Sequence, residues 1–134
     1  LNNQQKRIPM ANQYKGEIKG KLGDKERTFR LTFESIVSIE NRTGKSILEI
    51  TNSMGNNNYS MRDIVIVMHE ALKGAGGTYT QPAVGDMVMK TGLMKVAILC
   101  SEILMTIFVG DKKDEDSPLV QGEKEPKDTQ SSNT

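Results

Sequence analysis

Tryptophan is absent, and three phenylalanines and three tyrosines are the whole aromatic complement of the 134 residues. A core made from this chain must therefore be filled by aliphatic side chains and by eight methionines. A lone cysteine, Cys100, excludes an intrachain disulfide and points to a reducing, cytoplasmic setting. With His69 as the only histidine, a structural zinc site of the Cys/His kind cannot be assembled, and no cofactor is expected. Cys100 falls in an apolar helical run, where burial keeps a thiol protonated, so it is expected to act as a small core hydrophobe. The N-terminus lacks the apolar stretch of a secretory signal. Leu93–Val109 is the one segment that invites a membrane reading. It falls short of the roughly 20 apolar residues a span needs, and Lys95 and Glu102 lie inside it. It is expected to be the buried helix of a soluble protein.

The charges that are present are unevenly placed. Residues 1–30 carry eight Lys/Arg against three Asp/Glu, whereas residues 111–134 carry four Lys against seven Asp/Glu. Such polarity suits steering between protein partners better than a nucleic-acid footprint, which needs clustered basic charge. Residues 1–13 have no hydrophobic period and are expected to be disordered or an upstream extension, with Met10 as a natural start. Residues 111–134 are charged and poor in apolar side chains, as in a disordered tail. Residues 14–110 remain as a single domain, large enough for one core.

Within that domain the hydrophobic period changes from strand to helix. Ile18, Gly20 and Leu22 share one face, and Phe29, Leu31 and Phe33 alternate on a returning strand, with Gly23-Asp24-Lys25-Glu26 as the turn. Lys19, Lys21, Arg27 and Arg30 are then expected on a basic outer face. Phe33, Ile36, Val37 and Glu40 open a short helix stopped by Gly44. Ile47, Ile50 and Met54 repeat at helical spacing as far as Gly55. Ser60 with Asp63 resembles a capping box ahead of the stripe Met61, Ile64, Val65, Met68, Ala71 and Leu72, closed by Gly74. Pro82 is expected at the first position of the next helix, whose inner face is Val84, Met87 and Val88. Gly92 marks a break before the longest helix, Leu93–Val109. The fold class is α+β: an N-terminal β-hairpin packed on a mostly helical domain of four to five helices.

The motifs that could carry chemistry have structural explanations. Gly44-Lys45-Ser46 looks like the end of a phosphate-binding loop, but Ile39 stands where the first glycine is required, and the preceding segment is helical. Gly74-Ala75-Gly76-Gly77 follows a helix and offers its carbonyl end, not the amides that hold phosphate, so a flexible connector is expected. His69 sits at the border of its helix's apolar stripe with no fixed carboxylate beside it. Asp63 and Glu70 share one helix face that is expected to be solvated, so neither is expected to act as a catalytic acid. The chain is read as a non-enzyme.

The last helix has two apolar stripes. Leu93, Ala97, Cys100, Leu104, Ile107 and Phe108 form one, and Met94, Ile98, Met105 and Val109 form a second about 120° away at 100° per residue. Lys95, Glu102 and Thr106 make a narrow polar strip. A surface helix needs only one apolar face. The second implies either a helix packed on both sides, the reading favoured by the pattern, or a surface that receives a partner. In the latter case Met94, Ile98, Met105 and Val109 are the contact residues.

Two stretches carry a family resemblance. Met10-Ala11-Asn12-Gln13-Tyr14-Lys15-Gly16-Glu17, followed by Phe29-Arg30-Leu31-Thr32-Phe33, resembles the gene transfer agent tail protein family. So does the helix exit Ala71-Leu72-Lys73-Gly74-Ala75-Gly76-Gly77 with the helix pair after it. The resemblance covers about residues 10–110. Members of that family occur in phages, prophages and phage-like particles and are described both as tail tube proteins and as tail assembly chaperones. Of the two descriptions, tube subunits need many alternating strands, whereas this chain offers one hairpin and mostly helical periods after residue 33; a tail-assembly-chaperone-like domain over 14–110, working in the bacterial host cytoplasm, is therefore expected. Its implied partners are the tape-measure protein and the tail tube protein, with self-association as a further expectation. A structural tail component retained in the particle is the first alternative. A small nucleic-acid-binding regulator using the basic hairpin face is the second.

Overall fold

The computed structural model describes residues 16–110. Expectations for residues 1–13 and 111–134 lie outside the described residues. The described part opens with two antiparallel strands, β1 (Ile18–Leu22) and β2 (Lys25–Phe29), in the register Ile18 to Phe29 and Leu22 to Lys25. The turn is therefore Gly23-Asp24 alone, shorter than the four residues expected. Gly23 has φ +77°, a left-handed conformation that glycine adopts without strain, and the Gly23 amide donates to Thr91 Oγ1 at 2.7 Å.

That register corrects the placement of Arg27. Arg27 shares a pleat face with Leu22 and Phe29, not with Lys19 and Lys21, because side-chain direction alternates along a strand. Its side chain is 10% exposed; Nε donates to the Leu22 carbonyl, and the guanidinium lies 5.4 Å from the centre of the Tyr79 ring. Phe33 does not continue the strand. It begins a helix and is 76% exposed.

Five helices follow: α1 (Phe33–Thr43), α2 (Ile47–Gly55), α3 (Met61–Gly74), α4 (Gln81–Thr91) and α5 (Leu93–Val109). Thr32, Ser46, Ser60 and Thr80 each accept a backbone N–H at a helix start, which satisfies donors the helix leaves unpaired. At the end of α1, Gly44 adopts φ +74° and its amide returns to the Glu40 carbonyl; it is a helix stop, and Ser46 two residues on is the next cap. Pro82 is the second residue of α4, one place later than expected, since Thr80 is the cap.

Helix α3 is the hub. It packs against α1, α4, α5 and β2, and Asp63 through Met68 are all buried. A continuous buried stretch on a helix requires neighbours all round it, so the centrally packed helix is α3 and not the last one. On α1 the buried positions are Ser35, Ile39 and Thr43, whereas Phe33 and Val37 are exposed and Ile36 is half-buried. Small polar residues can occupy that face because their hydroxyls are satisfied locally. Ser35 is joined to Thr32 in a reciprocal cap, and Thr43 Oγ1 donates to the Ile39 carbonyl at 2.8 Å.

The glycine-rich exit of α3 is a packing feature, not a loose connector. A β-carbon on Gly74 would lie 2.1 Å from the Arg30 carbonyl oxygen, and the Arg30 amide donates to the Ala71 carbonyl at 2.9 Å. The chain leaving β2 thus runs directly against the last turn of α3. Gly77 then closes the helix end through its amide to the Leu72 carbonyl at 2.8 Å.

Candidate functional site

Two groups of side chains could carry function: a cluster of charges around α3, and the outer face of α5. Asp63 and Glu70, expected on a solvated helix face, are interior. Both are 4% exposed. Asp63 Oδ2 accepts from Lys45 Nζ at 2.7 Å, while Oδ1 has no hydrogen-bond partner among the described residues and lies 3.6 Å from Arg62 Nε. Glu70 Oε2 accepts from Arg42 at 2.6 Å and from the Ser38 hydroxyl at 2.6 Å. Burial pushes the Glu70 carboxyl up, but the Ser38 hydroxyl and the Arg42 guanidinium outweigh it, and Lys73 adds to them; the group is held below the ordinary carboxylate value. A buried carboxylate held ionised is the reverse of a catalytic acid, which needs its proton retained.

Arg42 also reaches His69 Nδ1 at 3.1 Å and Gln81 Oε1 at 2.5 Å. Since arginine only donates, Nδ1 accepts and Nε2–H donates to the Tyr79 carbonyl at 2.6 Å. Both ring nitrogens of His69 are therefore engaged in holding the α3–α4 connection, and Arg42 ties α1 to α3 and α4. Cys100 is fully buried, and burial pushes its thiol up to about 12, which leaves it protonated and unreactive. These groups serve as pins between elements.

The outer face of α5 is different. Gly92 ends α4 and starts α5 with φ +106°, and the chain bends by 116° from one helix to the next. The Gly92 amide donates to the Val88 carbonyl while its own carbonyl accepts from Val96, so the elbow keeps both helices bonded to their ends. No single helix among the described residues is long and apolar enough to cross a membrane.

The inner face of α5 is formed by Val96, Ala97, Leu99, Cys100, Ile103 and Leu104. This face is turned roughly 50° from the one read by helical projection, taking 100° per residue. The reason is Gly20: a β-carbon there would sit 2.6 Å from Leu99 Cδ1, so the bare backbone of β1 makes the hollow that Leu99 fills. Gly20→Val is expected to destabilise the domain by about 2 kcal/mol through overpacking, read as a lowered midpoint in urea. An unchanged midpoint would show that Leu99 does not set the rotation of α5.

On the other side, Met94 is 76% exposed, Ile98 65%, Met105 47% and Val109 44%. All four expected contact residues lie together on one open face, which corrects the expectation of a helix covered on both sides and of a buried segment. Phe108, placed by projection on the inner face, is 45% exposed and adjoins the stripe. Lys95 and Glu102 flank it and line a shallow cleft with Lys21, Lys90, Ile98 and Leu99. No local pattern announces this cleft, because Lys21 and Lys90 come from β1 and α4 and meet α5 only in the folded chain.

A family model described as phage tail tube protein, GTA-gp10, matches residues 15–110, more than two-thirds of the chain. No curated protein and no solved structure gives a match. The matched span takes in every described strand and helix. The hairpin, the five helices and the open face of α5 are thus features of a protein that belongs to the phage tail tube protein GTA-gp10 family.

Proposed function

We propose that this chain is a tail assembly chaperone. It acts in the cytoplasm of the bacterial host and binds apolar helical segments of the tape-measure protein until tail tube subunits enclose them. The observation that carries the reading is the exposed apolar stripe Met94, Ile98, Met105 and Val109 on a well-packed domain. Flexible methionine side chains accommodate varied apolar partners, and an amphipathic helix laid along such a stripe would bury both apolar faces. A second support is strand content. Subunits that close into barrels or sandwiches need several alternating strands, and the described residues supply one two-stranded hairpin.

Co-expression with the tape-measure protein followed by pull-down tests the proposal. Met94→Glu/Met105→Glu is expected to keep its helical circular dichroism and to lose at least about 100-fold in affinity, since each methionine contributes roughly 1.5–3 kcal/mol when buried. Normal capture by the folded double variant would remove the stripe from the mechanism. The family description favours a second reading, a structural component that stays in the tail. Mass spectrometry of purified particles separates the two: stoichiometric chain supports the component, and trace or absent chain supports the chaperone.

A further inference from the structure

The open face of α5 has the spacing of a short coiled-coil seam. Met94, Ile98, Ser101, Met105 and Phe108 follow one another at intervals alternating between four and three residues, and Ser101 is half-buried while the others are exposed. Lys95 and Glu102 each follow a seam residue by one position and so flank the seam on the same side. Neither makes an ion pair among the described residues, and both are exposed.

We infer that the occupant of this face, when no client helix is present, is α5 of a second copy packed antiparallel about a twofold axis. The inference rests on the proposed role of the same face and adds what covers it at rest. In one register, Met94 lies opposite the partner's Met105 and Ile98 opposite the partner's Ser101. The same register sets Lys95 beside the partner's Glu102 and, by symmetry, Glu102 beside the partner's Lys95. A single pair of flanking charges thus becomes two ion pairs through the symmetry of a self-complementary interface. Lys21 and Lys90 line the cleft into which the partner's Glu102 would reach, and they add attraction of the same sign; Asp24, 3.9 Å from Lys90, offsets part of it. A parallel pair has no such match. There Lys95 would meet the flank of the partner's seam that carries Ala97 and Leu104, and both are buried in the domain. Together the seam side chains can bury on the order of 1,000 Å² over both copies, the low end for a specific interface and suited to a reversible dimer that a client displaces.

Sedimentation velocity of the full chain between about 1 and 300 μM tests this. A concentration-dependent dimer is expected, with a dissociation constant on the order of tens of micromolar. Lys95→Glu turns both pairs repulsive and is expected to weaken the dimer about tenfold, whereas Lys95→Glu/Glu102→Lys restores most of the association. Circular dichroism of each variant confirms that the domain is folded. A chain that stays monomeric over the whole range overturns the inference, as does self-association that Lys95→Glu leaves unchanged. Capture of the tape-measure protein is followed with the wild-type chain at the same concentrations. A dimer with no capture counts against the client reading alone, and capture by a chain that stays monomeric counts against self-pairing alone.

Discussion

Replacing Gly74 by alanine is expected to destabilise the domain by at least about 3 kcal/mol, although the residue lies in a helix, where alanine is intrinsically favoured by about 1 kcal/mol. The competing effect is steric. A β-carbon at Gly74 would stand 2.1 Å from the Arg30 carbonyl oxygen and 2.9 Å from Ser35 Oγ. The first obstacle is backbone, anchored by the hydrogen bond from the Arg30 amide to the Ala71 carbonyl, so no rotamer change relieves it. Either β2 moves off α3 or the last turn of α3 unwinds. Gly85 supplies the comparison within the same fold. It lies inside α4, and a β-carbon there would meet nothing within 4 Å, so Gly85→Ala is expected to stabilise by roughly 0.5–1 kcal/mol. Thermal unfolding measures both. For a domain of this size, Gly74→Ala should lower Tm by about 15 °C, and Gly85→Ala should raise it by a few degrees. Opposite signs follow only if close approach, and not glycine's flexibility, explains Gly74; a stabilised Gly74→Ala would refute the contact.

The Arg42–Glu70 pair carries the second large effect. Glu70→Ala leaves a partly buried guanidinium without its carboxylate and leaves the Ser38 hydroxyl without its acceptor. Breaking a buried pair from one side typically costs 3–5 kcal/mol; because the Arg42 side chain remains 25% exposed and can rehydrate, about 2–4 kcal/mol is expected. Glu70→Gln preserves the shape and isolates the charge. The Glu70 carboxyl is held below its ordinary value of 4.5 in the folded chain. Its contribution is therefore complete above the pKa of the unfolded carboxyl and is lost as pH falls through the lower folded value. The stability difference between wild type and Glu70→Gln should accordingly be largest near pH 7 and shrink below about pH 4.5. Urea titrations at several pH values measure it. A difference that stays constant from neutral to acid pH would show that the charge of Glu70 does not contribute.

These two sites also show where a linear reading stops. The hairpin, the helix starts at Ser60 and near Gln81, the stop at Gly44 and the break at Gly92 were legible because each depends on residues within one turn of one another. From sequence Gly74 begins a flexible exit because Ala75, Gly76 and Gly77 follow it; its contact is Arg30, which no local pattern links to it. From sequence Asp63 and Glu70 belong in solvent, because an acidic residue on a helix is usually solvated. Their burial depends on Lys45 and Arg42, contributed by segments well before α3 in the chain.

The candidate surface divides in the same way. Helical projection brought Met94, Ile98, Met105 and Val109 onto one stripe, since that follows from 100° per residue. Whether the stripe would be covered could not be read from the period, because a helix with two apolar faces suits either a central position or an open one. Packing settled that question when α3 took the centre and Leu99 seated α5 in the hollow at Gly20, turning Phe108 outward.

What this sequence by itself determined is the set of elements and their ends, because turns, caps and amphipathic periods are short-range interactions between neighbouring residues. Tertiary structure alone decided which side chains became interior, which charges became pins, and which apolar face stayed open. Those outcomes depend on how distant segments share a limited volume, and that competition leaves no trace in local spacing.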